Sequence, residues 1–214
     1  MRSVISSILG SRTSLTPAIN VFGVSGSPRK NGNSDVILKT IISGVSRENV
    51  SSVHLNLTDI QFQGCIGCEK CRNDKICTGL VDGMSVVYHQ VISSKGLILV
   101  SPTHNYNITS WMKAFIDRLY CLYNFENDRP RSWSSRLADQ GRKAVIASIC
   151  EQEGREDMGF TMDAMKRPLE ALGYEILGEL RVFNTFDRAK VKHDKDAMGK
   201  AFELGKNLAQ SIAG

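Results

Sequence analysis

The feature that most restricts the fold is the run Leu97-Ile98-Leu99-Val100, four apolar residues in a row between Gly96 and Ser101. A strand buried on one face alternates apolar and polar residues. A strand covered on both faces reads as unbroken Val, Ile and Leu, and such strands belong to parallel sheets. Similar short runs recur, so that Ala18 to Val24, Ser51 to Leu57, Gly96 to Ser101, Lys143 to Cys150 and Tyr174 to Phe183 read as strands. Between and after them the apolar spacing changes to three or four residues. Helices are predicted over Ser34 to about Gly44, Met84 to Ile92, about Thr109 to Leu122, about Met158 to Leu172 (with Pro168 as a kink), and about Asp194 to Ile212. Five such alternations predict an α/β fold, a three-layer doubly wound parallel five-stranded sheet.

A chain of 214 residues, 42% apolar and 23% charged, can bury one core, and no repeat or linker divides it. A single domain over 18–214 is expected, preceded by an extension, 1–17, that is basic, rich in Ser and Thr and free of acid. Its composition faintly resembles a transit peptide, but a docking or disordered extension accounts for it better. The net charge of +5 is spread thinly, the densest basic run being Arg29-Lys30, which argues against nucleic acid as a partner. The apolar runs fall far short of the ~20 residues of a membrane span. A cytoplasmic location follows, in which grouped thiols point to metal or redox chemistry rather than structural disulfides.

Two connections are too long to be plain loops, Thr58 to Gly83 and about Tyr123 to Arg142. The first is a cysteine-rich insertion, 58–83, with the spacing Cys65-x2-Cys68-x2-Cys71-x5-Cys77, and it leaves the sheet at its ligand-binding carboxyl edge. Two successive C-x2-C steps converge three thiolates, and Cys77 is near enough to be the fourth ligand of a [4Fe–4S] cluster. Zinc, a disulfide pair such as Cys68–Cys71, and bare thiols remain open alternatives. Cys121 and Cys150 read as buried hydrophobes.

The turn after the first strand, Gly23 to Asp35, lacks the endings of a P-loop and of a dinucleotide fingerprint. It offers the hydroxyls of Ser25, Ser27 and Ser34, the cation Arg29, and a helix start that Asn33 or Ser34 can cap. Such a site suits a dianionic monophosphate. The segment "GSPRKNGNS" resembles the FMN-phosphate loop of the flavodoxin-like NADPH-dependent FMN reductases. "SPTHNYNITSWMKAFIDRLY" (Ser101 to Tyr120) is similar to that family's segment after strand 3, and the cysteine string resembles its iron–sulfur flavoprotein branch.

The resemblance spans about Ile19 to Phe183 and implies strand order 2-1-3-4-5. FMN contacts are then expected from Ser25, Ser27, Pro28, Arg29, Asn33 and Ser34, and from Pro102, Thr103, His104, Asn105, Tyr106 and Asn107. Cys150 and Glu151 would close the third side of the ring pocket. His104 stands where many relatives have Tyr, so ring stacking could pass to Tyr106. It could serve the reduced ring as a charge or proton relay, or simply enter the helix hydrogen-bonded to backbone. The implied activity is redox: an FMN-dependent oxidoreductase exchanging electrons between FMN and a [4Fe–4S] cluster on Cys65, Cys68, Cys71 and Cys77. Its donor would be NAD(P)H or a ferredoxin-like protein, with a small electron acceptor. A homodimer or homotetramer is implied, and no side-chain nucleophile is needed. The alternatives are a cluster-free NAD(P)H-dependent FMN or quinone reductase and a non-catalytic carrier of flavodoxin type.

Overall fold

The apolar runs become the centre of a parallel sheet. A computed structural model describes residues 18–213, and the expected extension 1–17 lies outside the described residues. The elements are β1 (Ala18–Ser25), α1 (Asn33–Arg47), β2 (Ser51–Asn56), α2 (Cys71–Asp74), α3 (Met84–Ser93), β3 (Ser94–Pro102) and α4 (Ser110–Arg118). There follow β4 (Tyr123–Phe125), β5 (Trp133–Ser135), β6 (Lys143–Ile149), α5 (Thr161–Ala171), β7 (Glu175–Val182) and α6 (Lys195–Ala213). The main sheet has the order β2-β1-β3-β6-β7 with every pair parallel, which is the expected 2-1-3-4-5. Among the described residues no helix is long and apolar enough to cross a membrane.

The unbroken runs supply both faces because successive side chains point to opposite sides. Phe22, Val24, Leu97, Leu99, Ala144 and Ile146 pack with α3, α4 and α5. Val21, Ile98, Val100, Val145 and Ala147 pack with α1 and α6. The edge strand β2, with a neighbouring strand on one side only, is mostly exposed and shows no regular alternation of burial; Val53 is 45% exposed. Helices α1 and α6 cross at two glycines. A Cβ on Gly44 would lie 2.0 Å from the Phe202 carbonyl oxygen, and one on Gly205 would lie 1.8 Å from that of Ile41.

Three local expectations change. The helix expected over about Thr109 to Leu122 is α4 followed by a 3-10 turn, Leu119–Leu122. The one expected from Met158 starts at Thr161, because Gly159 takes φ +52° and breaks it from the turn Glu156–Met158. Pro168 is carried inside α5. The loop Tyr123 to Arg142 contains an antiparallel hairpin, β4 with β5.

Arg142, 1% exposed, closes the end of α3 by donating to the carbonyls of Val91 (2.8 Å), Ser94 (2.6 Å) and Ile92 (2.5 Å). Carbonyls of a last helical turn have no partner within the helix, and this guanidinium supplies one.

Candidate functional site

The loop between β1 and α1 is organised by a carboxylate. Asp35, in the first turn of α1, accepts from Ser25 Oγ (2.7 Å), the Asn31 N–H (2.6 Å) and Asn56 Nδ2 (3.0 Å). Gly32, not Asn33 or Ser34, occupies the cap position, and no side chain caps there. Asn33 is drawn elsewhere: its Nδ2 donates to the carbonyls of Asp187 (2.9 Å) and Phe186 (3.4 Å), and its Oδ1 accepts the Val191 N–H (3.1 Å). The N–H groups of the first turn of α1, which no helical carbonyl can satisfy, give this end its anion-attracting character.

A cleft of about 440 Å³ opens beside that helix start at the carboxyl edge of the sheet. Of the expected residues it gathers Ser27, Pro28, Arg29, Asn33, Ser34, Pro102, Thr103, His104, Asn105 and Glu151. Four expected residues do not line it. Ser25 is fully buried and its hydroxyl is given to Asp35. Cys150, 3% exposed, is part of the core and bonds through its N–H to the Val182 carbonyl (2.8 Å). Tyr106 and Asn107 belong to a tight turn in which His104 and Asn107 exchange backbone hydrogen bonds (2.8 and 3.0 Å).

Both central residues of that turn have positive φ, 48° at Asn105 and 64° at Tyr106, which turns the Tyr106 ring outward to 57% exposure. Asn107 Oδ1 accepts the Ile108 N–H (2.8 Å). Gly159 makes room for the turn, since a Cβ there would lie 2.3 Å from the Tyr106 carbonyl oxygen.

The sequence reading missed Thr185, Phe186 and Arg188, which line the cleft from the loop between β7 and α6. No local signal marks them. They arrive because α6 lies against α1 and brings the loop of the outermost strand back over β1. The Arg29 guanidinium stands 4.5 Å over the Phe186 ring. Burial, with the nearby Arg29 charge adding to it, holds the His104 imidazolium less stable than usual and lowers its pKa.

The four insertion cysteines come together. Cys65, Cys68, Cys71 and Cys77, with Gly79, Leu80 and Tyr120, line a cavity of about 250 Å³. A Cβ on Gly79 would lie 2.3 Å from Cys68 Sγ, so this position gives the sulfur its space. The Gly67 N–H donates to Cys65 Sγ (3.5 Å). Burial raises the Cys71 pKa, and the other three thiols, as neighbouring anions, push it further up. Among the described residues no three Cys, His, Asp or Glu side chains close on a single point as a metal ion requires. The thiols surround a volume rather than a point.

Two straps hold this insertion. Arg118, 2% exposed, grips both oxygens of Asp82 (2.7 and 3.0 Å), the Gln63 carbonyl (2.8 Å) and the Tyr88 hydroxyl (3.1 Å), closing the neck of the loop. The neighbouring Asp117 pairs instead with Lys113 (2.5 Å). Arg72 bonds to Glu69 (3.3 Å) and to the Glu126 carbonyl (3.2 Å), and Arg131 to Glu69 (3.0 Å), joining the two long connections.

α4 starts beside the phosphate loop, with Thr109 Oγ1 donating to the Gly26 carbonyl (2.7 Å), whereas Tyr120, past its far end, lines the cavity. At ~1.5 Å per helical residue the two sites are offset by about 15 Å along α4.

Comparison with known proteins agrees with this architecture. The sequence profile of the NADPH-dependent FMN reductases matches residues 19–154. An iron–sulfur flavoprotein of Archaeoglobus fulgidus is 34% identical over 192 residues, 89% of this chain and 79% of that protein. One from Methanocaldococcus jannaschii is 27% identical over 138 residues, 64% of this chain and 66% of that one. The chain spans about half to two-thirds of the length of most of the curated relatives it matches. Among solved structures, an FMN-dependent NADH-azoreductase from Bacillus anthracis in complex with FMN superposes with a TM-score of 0.62 at 17% identity, covering 91% of this chain and all of that one, a likeness of fold. The chain belongs to the NADPH-dependent FMN reductase family, in its iron–sulfur flavoprotein branch.

Proposed function

We propose that the chain is an FMN-dependent oxidoreductase whose four insertion cysteines hold a [4Fe–4S] cluster. The observation that carries the flavin half is the cleft in which an uncapped helix start, Arg29 and the Ser27 and Ser34 hydroxyls meet the loop after β3. The residues fit a phosphate ester: the N–H groups and Arg29 attract the dianion, and the hydroxyls can donate to its oxygens. Bound FMN would supply two-electron chemistry at its ring, and a cluster one-electron transfer.

The chain's own residues set the conditions for that chemistry. Pro102, Thr103 and Asn105 form a wall fixed by the His104–Asn107 turn and by the Thr103 N–H bond to the Ile149 carbonyl (2.8 Å). His104, kept neutral by burial and by Arg29, can take a proton at the cleft when negative charge develops there. Cys65, Cys68, Cys71 and Cys77, lining one cavity, could supply the four thiolates of such a cluster. The offset of about 15 Å within one chain favours a homodimer or homotetramer in which one subunit's cavity faces another's cleft.

A second reading, a cluster-free NAD(P)H-dependent FMN or quinone reductase, draws on the match of residues 19–154 to the NADPH-dependent FMN reductases. Anaerobically purified protein separates the two. Flavin with about four irons and four sulfides per chain supports the cluster. A yellow, iron-free protein that oxidises NADPH rapidly supports the second reading. Protein that takes up no FMN would sink both.

A further inference from the structure

The phosphate end of the cleft has more cation than the loop after β1 provides. Arg188, from the loop between β7 and α6, lines the same cleft and donates to the Lys30 carbonyl of the phosphate loop. Phe186, two residues earlier, holds the Arg29 guanidinium over its ring at 4.5 Å, and Arg29 Nη1 reaches its carbonyl at 3.5 Å. Asn33 fixes the loop through its bonds to Phe186, Asp187 and Val191. The loop is thus tied to the helix start at one end of the cleft, while the cleft's carboxylate, Glu151, follows β6, two strands from β1 and about 10 Å across the sheet.

Charge balance gives this arrangement a purpose. A phosphate monoester carries about −1.5 to −2 at neutral pH. A helix start contributes roughly half a positive charge, so with Arg29 alone the site offers about +1.5 and falls short of the fully ionised dianion. A guanidinium has five donors, and Arg188 uses one of them on the Lys30 carbonyl. We propose that Arg188 is a second phosphate-binding cation, gripping the ester beside Arg29, and that Phe186 presets Arg29 by stacking. This makes the β7–α6 loop part of the monophosphate site. It rests on the reading of the cleft as an FMN site and adds to it a wall that the loops after β1, β3 and β6 do not supply.

The test compares FMN with riboflavin, which has the same ring and no phosphate, by flavin fluorescence titration of flavin-stripped, full-length protein. Arg188→Gln should weaken FMN roughly ten- to a hundredfold, the range of one charged hydrogen-bonded contact, and leave riboflavin unchanged. Arg188→Lys should recover part of the loss, because charge returns without the fork. Phe186→Leu should weaken FMN less than Arg188→Gln does, again sparing riboflavin. Equal loss for both flavins, or none for FMN, would overturn the assignment while wild-type FMN binding keeps the cleft reading intact. Wild-type protein that binds neither flavin would overturn both.

Discussion

Replacing Arg118 by Met removes the clasp at the neck of the cysteine insertion while nearly keeping the side-chain volume. The Arg118 side chain is 1% exposed and its partner Asp82 16%, with bonds of 2.7 and 3.0 Å between them. The substitution also strands the Gln63 carbonyl and the Tyr88 hydroxyl. Breaking a buried pair by deleting one member costs about 3–5 kcal/mol, because the other charge stays behind. Asp82 keeps some contact with water, so a loss near the lower end, about 3 kcal/mol, is expected. That is a large share of the roughly 5–15 kcal/mol of a whole domain.

Urea denaturation of the metal-free protein measures the loss. A cycle with Asp82→Leu separates the pair from the methionine's own packing, and the two single changes should be far from additive. A loss below about 1 kcal/mol, typical of exposed pairs, or additivity within ~0.5 kcal/mol, would refute the reasoning. The pH dependence gives an independent check. Burial pushes the Asp82 pKa up, but Arg118 and the N–H groups of Met84 and Gln63 outweigh it and leave it below its ordinary value. The folded state therefore releases this proton more readily than the unfolded chain. The stabilisation is complete above about pH 4 and is lost as pH falls through the lowered folded value. Arg118→Met should flatten that acid limb.

Three other outcomes follow from the geometry. Proton NMR should place the His104 pKa below the ordinary value of about 6.5, and Arg29→Gln should raise it. Because the folded pKa is the lower one, its contribution to stability is present above the unfolded value and declines as pH drops toward the folded one. Gly79→Ala should move Cys68 Sγ from its place and reduce iron bound per chain, while the metal-free protein keeps its denaturation midpoint; unchanged iron content would contradict the packing at 2.3 Å. Gly205→Ala drives a methyl group into the Ile41 carbonyl and should destabilise by about 1–3 kcal/mol in urea, with Gly44→Ala behaving alike.

What the sequence determined by itself was whatever depends on neighbours along the chain. The Leu97 to Val100 run implies a doubly covered strand, and the strand–helix alternation implies the five-stranded parallel layer. The Ser27 to Ser34 turn and the two long connections could be located because hydroxyls, Gly and Pro punctuate a chain locally. Tertiary structure decided whatever depends on which distant segments meet. Arg118 chooses Asp82 over its neighbour Asp117 because the end of α4 lies against the neck of the insertion. Asn33 leaves its cap role because α6 brings the β7–α6 loop within reach, and the same approach places Phe186 and Arg188 in the cleft. The cysteine spacing indicates that sulfurs can converge, but only the packing of the loop against Tyr120, just past α4, fixes where. Periodicity and turn chemistry act over a few residues, whereas strand order and helix crossing decide contacts across the whole chain.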